Sequence, residues 1–274
     1  MSLDIGDALR SGIDDLTSET GLLVGAVVFL YSLGALVANE SLGAALLSRL
    51  FESGVYTAAQ REAIQSFGGG TPFSLGVGVA VAGALAVVVT LVGELVRFWA
   101  IRQFAGPAET AAPSDRAAMA LLLGGVVAVF LLLFQQVLPV AGQLGGTALG
   151  LVGSIVGPIG GIVLLAVFVY LRQEIALNDG GYGETVRRSL ARFMDDPASI
   201  LVLLLVLGIV GFVGSVPTFA VGFLGGSASV GGVSLTVVSR LLSTLLGAVF
   251  QTLGIAVVTD AYLQVRASAT ESAV

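Results

Sequence analysis

Six stretches of this sequence stay apolar for about twenty residues or more, the length an α-helix needs to cross the roughly 30 Å hydrocarbon core of a bilayer. They are 20–38, 73–101, 117–138, 147–171, 197–224 and 233–260. The apolar residues run on without the period-two alternation of a membrane β-barrel strand. In lipid every backbone N–H and C=O must find its partner within the chain, so such runs specify helices. The predicted fold is all-α: a polytopic transmembrane helical bundle of about six spans, one integral membrane domain over 1–274, with short interfacial amphipathic helices.

Composition narrows the chemistry. Only 11% of the 274 residues are charged, against about 25% in soluble domains. There is no His and no Cys, which removes imidazole and thiolate ligands, bases and nucleophiles. All twelve basic residues are Arg, so phosphate-loop and Schiff-base lysines are absent too. No cofactor and no metal site is expected. Acids exceed bases by six, which argues against nucleic acid as a partner. Acidity, absence of Lys and abundant Ala, Gly and Val resemble the composition of proteins from salt-adapted archaea.

Arginine counts in the loops set the predicted orientation. With the N-terminus inside, the cytoplasmic side receives Arg10, Arg97, Arg102, Arg116, Arg172, Arg187, Arg188, Arg192 and Arg266, and the outer side only Arg49 and Arg61. Both termini are therefore expected on the cytoplasmic side of the cell membrane. Residues 1–19 hold Arg10 against five acids, unlike the positive start of a signal peptide. Ile5, Leu9, Gly12/Ile13 and Leu16 fall at helical spacing and predict a short interfacial helix. In the 39–72 loop, LGAALLSRLFES and TAAQREAIQSF predict two short helices. Asn39-Glu40-Ser41 matches a glycosylation sequon, at a span end with poor access for a modifying enzyme.

Residues 172–197 carry nine of the chain's thirty charges. Asn178-Asp179-Gly180-Gly181 is a turn signal. After it Val186, Leu190, Phe193 and Met194 share one helical face, predicting an interfacial helix over about 183–195. Glu184 with Arg188, and Arg192 with Asp196, stand at i,i+4 on the polar side, where such pairs contribute about 0.2–0.5 kcal/mol. Asp196 before Pro197 reads as an N-cap and N1 of the fifth span. Arg187, Arg188 and Arg192 are candidate contacts to the lipid bilayer's anionic headgroups or to a membrane protein partner; simple anchoring of the neighbouring spans is the more economical reading.

Charges and amides inside the spans are the other candidates. Arg240 lies about 10 Å into the sixth span at 1.5 Å per residue. It heads a stripe with Thr236, Ser243/Thr244, Gly247 and Gln251, and Gln135 and Gln136 lie at similar depth in the third span. Together they read either as a polar site or water path between spans three and six, or as helix-to-helix hydrogen bonding around an arginine that snorkels. Glu94 and Asp260 read as a carboxylate pair, or as rim acids bridging Arg97, Arg102 or Arg172. Gly146, Gly150, Gly153, Gly157 and Gly161 form a small-residue series that lets backbones approach, within the bundle or across a homodimer. Pro158, inside it, predicts a kink.

The segment IALNDGGYGETVRRSLARFMDDP resembles one found in six-span haloarchaeal membrane proteins of unknown function. These in turn resemble the membrane domain of glycerophosphodiester phosphodiesterases. Asn178-Asp179-Gly180 matches the turn and Arg188-Ser189 the Arg-Ser pair, while Leu190 stands where an aromatic is commoner. The resemblance implies a six-span membrane domain. No catalytic residue carries over, because the phosphodiesterase chemistry of such proteins belongs to a separate soluble domain. The expected role is a non-enzymatic membrane component assisting or organising a partner. The alternatives are a transporter using the polar path of span six, or an intramembrane enzyme built on Glu94 and Asp260.

Overall fold

In the computed structural model the chain is a bundle of long helices. The structure describes residues 3–67, 71–106, 116–137, 159–223, 229–230 and 233–271. In chain order the helices are α1 (Ile5–Thr17), α2 (Glu19–Glu52), α3 (Ala58–Phe67), α4 (Val79–Ala105), α5 (116–137), α6 (Ile159–Leu177), α7 (Tyr182–Asp195), α8 (Pro197–Phe223) and α9 (Leu235–Glu271). A two-residue hairpin, β1 (Ser229–Val230) against β2 (Val233–Ser234), precedes α9.

Five of these helices, α2, α4, α6, α8 and α9, are long and apolar enough to cross a membrane. The shorter apolar helix Arg116–Leu132 within α5 is the candidate for a sixth. Each overlaps one of the six predicted apolar runs, and residues 147–158 of the fourth run lie outside the described residues. Their outward faces carry Leu22, Leu30, Val81, Val88, Leu205, Ile209 and Phe212, all about half exposed or more. So much contiguous apolar surface is foreign to a protein surrounded by water and suited to one surrounded by lipid.

One helix boundary differs from expectation. LGAALLSRLFES is no separate helix: α2 runs unbroken through it to Glu52. Leu42 and Ala45 pack there on Ala82 and Ala86 of α4, so tertiary burial carries the helix past the end of its span. The second loop helix, α3, does form. In α5 two π-helical turns, Ala120–Gly124 and Leu133–Val137, interrupt the α geometry.

The expected N-terminal helix is α1, but it packs on protein as well as facing outward. Asp4 caps it by accepting from Asp7 N at 3.0 Å, and Ala8 and Gly12 are buried against α9. A Cβ on Gly12 would sit 2.3 Å from Val257 Cγ2. At the turn into α2, a Cβ on Gly21 would lie 2.0 Å from the carbonyl oxygen of Asp15; only glycine permits that approach.

The largest core cluster lies at the arginine-rich end of the bundle. It joins Ala8 of α1, Ile101 of α4, Tyr170 and Leu177 of α6, Ile200 and Leu203 of α8, and Val257, Ala261 and Tyr262 of α9. Asp196 caps α8 as expected, accepting from Ser199 N at 3.1 Å. The Ser199 side-chain and backbone bonds hold its carboxyl below the usual range.

Candidate functional site

Two buried carboxylates organise the arginine-rich end, and each is held from another helix. Glu94, 2% exposed, stands eight residues before Arg102 on α4, about 12 Å along the helix at 1.5 Å per residue. Arg172 of α6 grips it bidentately, Nε to Oε2 at 2.7 Å and Nη2 to Oε1 at 2.8 Å. Arg97 adds a bond from Nη1 to Oε1 at 2.5 Å. The π turn Ala120–Gly124 of α5 brings Gly124 so close that a Cβ there would lie 2.7 Å from Glu94 Oε2. A small cavity remains between Glu94, Phe98, Ala120, Gly124, Arg172 and Ile175. A bare carboxylate at such depth is costly; fork-to-fork pairing with Arg is the geometry that best offsets the cost.

Glu174, 1% exposed, is the second carboxylate. Its Oε1 accepts from Arg192 Nε of α7 at 2.5 Å, and its Oε2 from Asn178 Nδ2 at 2.8 Å. Asn178 also donates to the Tyr262 hydroxyl of α9. The Arg192 guanidinium lies over the Tyr262 ring, 4.7 Å from its centroid, a cation–π contact. Tyr262 meets Tyr170 edge to face at 5.6 Å. One glutamate thus ties the surface helix α7 to α6 and α9. Arg102 Nη1 donates to Ala176 O at 3.2 Å, and Arg116, itself buried, lies 3.8 Å from Asp179.

These contacts correct part of the sequence reading. Glu94 does pair with Arg97 and Arg172, but it is a buried carboxylate rather than an open rim one. Asp260 does not join it. Asp260 accepts from Ser11 of α1 at 3.3 Å and from Gln264 at 2.9 Å, so the two acids share no partner among the described residues. Arg192 passes over Asp196 for Glu174, because the guanidinium points into the bundle; Glu184 with Arg188 forms as expected at 2.5 Å. The helix α7 also turns differently. It buries Thr185 and Ser189, rests Phe193 on the core, and leaves Leu190 and Met194 exposed.

At the far end Arg240 has a partner that the spacing did not reveal: its Nε lies 3.3 Å from Oε1 of Glu40, buried in α2. The other Glu40 oxygen accepts from Phe73 N at 2.9 Å, and Ser41 Oγ accepts from Leu75 N at 3.0 Å. The rest of the stripe on α9 closes on neighbours or on its own helix. Ser243 bonds Thr218 of α8 at 2.8 Å; Thr244 donates to Arg240 O at 2.8 Å; Gly247 faces Gly214 of α8. Gln251 differs, because its Nε2 is buried without a hydrogen-bond partner among the described residues. The stripe's contacts are thus to the first and fifth spans. The side chains of Gln135 and Gln136 lie outside the described residues, as do Gly146, Gly150, Gly153, Gly157 and Pro158; Gly161 is buried in α6.

Sequence reasoning missed Glu40 and Glu174. Each is an acid within or beside an apolar helix, and Glu174 has Asn178 one turn later. That isolation was the available signal. Among the described residues no group of three acids converges to hold a metal ion.

A family model described as a domain of unknown function, DUF7847, matches residues 3–265. No curated protein matches the chain, and no solved structure does.

Proposed function

The chain belongs to the DUF7847 family, and from its own geometry we propose that it is a non-enzymatic membrane component that organises a partner protein on its arginine-rich face. The observation that carries this reading is the two-sided character of α7. One side is locked into the bundle through Arg192 and Glu174. The other leaves Leu190 42% and Met194 70% exposed, a small apolar stripe on a rigidly held helix. The non-enzymatic part of the reading rests on the acids: both buried glutamates of this end are already engaged by arginine. The arginine bias supports a cell-membrane orientation with both termini and α7 in the cytoplasm. The lysine-free acidic composition supports a salt-adapted archaeal source, and the turn and Arg-Ser pair support likeness to the phosphodiesterase membrane domain.

The test places a photoreactive residue at Met194 in the full-length chain in native membranes. A discrete protein adduct of defined mass, abolished by Leu190→Asp and retained with Arg10→Gln, supports the reading. Adducts to lipid alone, or purification in high salt without a stoichiometric companion, overturn it.

One observation favours transport as a second reading: the unpartnered amide of Gln251 midway along α9. Water reaching that amide would open a polar path, and the labelling experiment in the Discussion separates the two.

A further inference from the structure

The helix α7 buries a polar stripe and leaves part of an apolar one outside. Thr185 and Ser189 are buried, and Arg192 reaches inward to Glu174. Each of the three is followed at once by an apolar residue: Val186, Leu190 and Phe193. The two stripes are thus offset by one residue, a rotation of about 100° about the helix axis at 3.6 residues per turn. The register leaves polar atoms unanswered. Among the described residues the Ser189 hydroxyl is buried without a hydrogen-bond partner, and so are the Tyr170 hydroxyl and Gln173 Oε1 on the neighbouring α6. Such atoms are costly. Arg192 supplies the grip that offsets them, bonded to Glu174 and lying over the Tyr262 ring.

Both ends of α7 permit a roll. It enters through Gly180, at φ +154°, and Gly181, which caps the helix without a side-chain bond. A Cβ added at Gly181 or Gly183 would meet nothing within 4 Å. It leaves through Asp196 alone, at φ −147° and ψ 70°, before Pro197 opens α8. We propose that α7 is a two-position switch with Arg192 and Glu174 as its latch. In the latched position, the one seen here, Leu190 and Met194 face outward. In the rolled position, about 100° away, Val186, Leu190 and Phe193 take the places of Thr185, Ser189 and Arg192, and the apolar stripe is withdrawn. The first position keeps an ion pair and exposes apolar surface; the second buries that surface and gives up the pair. A partner seated on the stripe favours the latched position by its differential affinity for the two. What the switch regulates rests on the reading of Leu190 and Met194 as a docking stripe; the two positions of α7 do not.

The experiment uses the full-length chain in nanodiscs, which open both membrane faces to a water-soluble maleimide. Single cysteines replace Ser189 and Met194 in turn, in a chain that has none of its own. With the latch intact, Met194→Cys is expected to react at least tenfold faster than Ser189→Cys. Glu174→Gln is expected to reverse that order, speeding Ser189→Cys at least tenfold and slowing Met194→Cys at least fivefold. Arg192→Lys, which keeps the charge and loses the fork, should move both rates the same way by a smaller factor. Reciprocal change supports the switch, and it does so even where no partner is captured at Met194, an outcome that would sink the docking reading alone. Rates that ignore both variants overturn the switch. So does a faster Ser189→Cys beside an equally fast Met194→Cys, which means that α7 has come away from the bundle instead of rolling on it.

Discussion

Arg172 holds both oxygens of Glu94 from a neighbouring helix, at 2.7 and 2.8 Å. The pair lies on the packed interface of α4 with α6, so its removal is felt as a loss of helix association. Removing one member of a buried pair leaves the other charge uncompensated, which costs about 3–5 kcal/mol, whereas replacing both by apolar or neutral groups is often close to neutral. Arg172→Met is therefore expected to destabilise the bundle by about 3 kcal/mol, the lower end because Arg97 remains. Adding Glu94→Gln should recover much of the loss. Thermal unfolding in detergent reads both, and equal melting temperatures for single and double variants would contradict the clamp.

Gly124 and Gly125 stand side by side in α5 but face different neighbours. A Cβ on Gly124 would meet Glu94 Oε2 at 2.7 Å, and one on Gly125 would meet Leu91 Cδ2 at 2.6 Å. A leucine methyl swings aside, while a carboxylate held by two arginines does not. Gly124→Ala should lower the melting temperature clearly more than Gly125→Ala. The same ranking should weaken when Glu94 is replaced by Ala.

Asp15 gives α1 a pH dependence. Burial first, then the charges of Asp260 and Asp14, raise its pKa above the ordinary 3.8. An acid with a raised folded-state pKa contributes stability that is fully present below the unfolded value. It is lost as pH rises through the folded value. Amide-exchange protection across residues 5–17 should thus increase on acidification toward about pH 4, after correction for the intrinsic exchange rate. Asp15→Asn should flatten the profile. Protection that falls on acidification in the wild type would show that other carboxylates dominate the docking of α1.

The chain has no cysteine, so single-cysteine labelling needs no prior engineering. Gln251→Cys and Ser243→Cys should stay unlabelled by a membrane-impermeant thiol reagent from either side, while Ser48→Cys at the far end of α2 reacts from one side only. Labelling at Gln251→Cys would mean that water reaches the middle of α9 and would move transport ahead of partner organisation.

The polar contacts were only partly legible in the sequence. A cation inside an apolar run announces itself, so Arg240 stood out; Glu40 did not, because it follows Asn39 at a span end and resembled loop. Glu94 with Arg97 was readable at i,i+3 and Arg172 as a cation of the same rim, but Arg172 is 78 residues away, and no local spacing encodes its two-pronged grip on a buried carboxylate. The choice of Arg192 between Asp196 and Glu174 went to the buried acid, where exclusion of water strengthens the pairing.

The sequence by itself determined that this chain is a bundle of membrane-spanning helices and which end collects arginine. Those properties follow from apolar run length and from the need of every backbone polar group in lipid for an internal partner. Only the tertiary structure decided which charge meets which, how far α2 extends beyond its span, and which side of α7 is left open. Within lipid the apolar faces are nearly equivalent to their surroundings, so helix order and rotation are set by small-residue contacts and buried polar pairs. Those are few, and they join residues far apart in the chain.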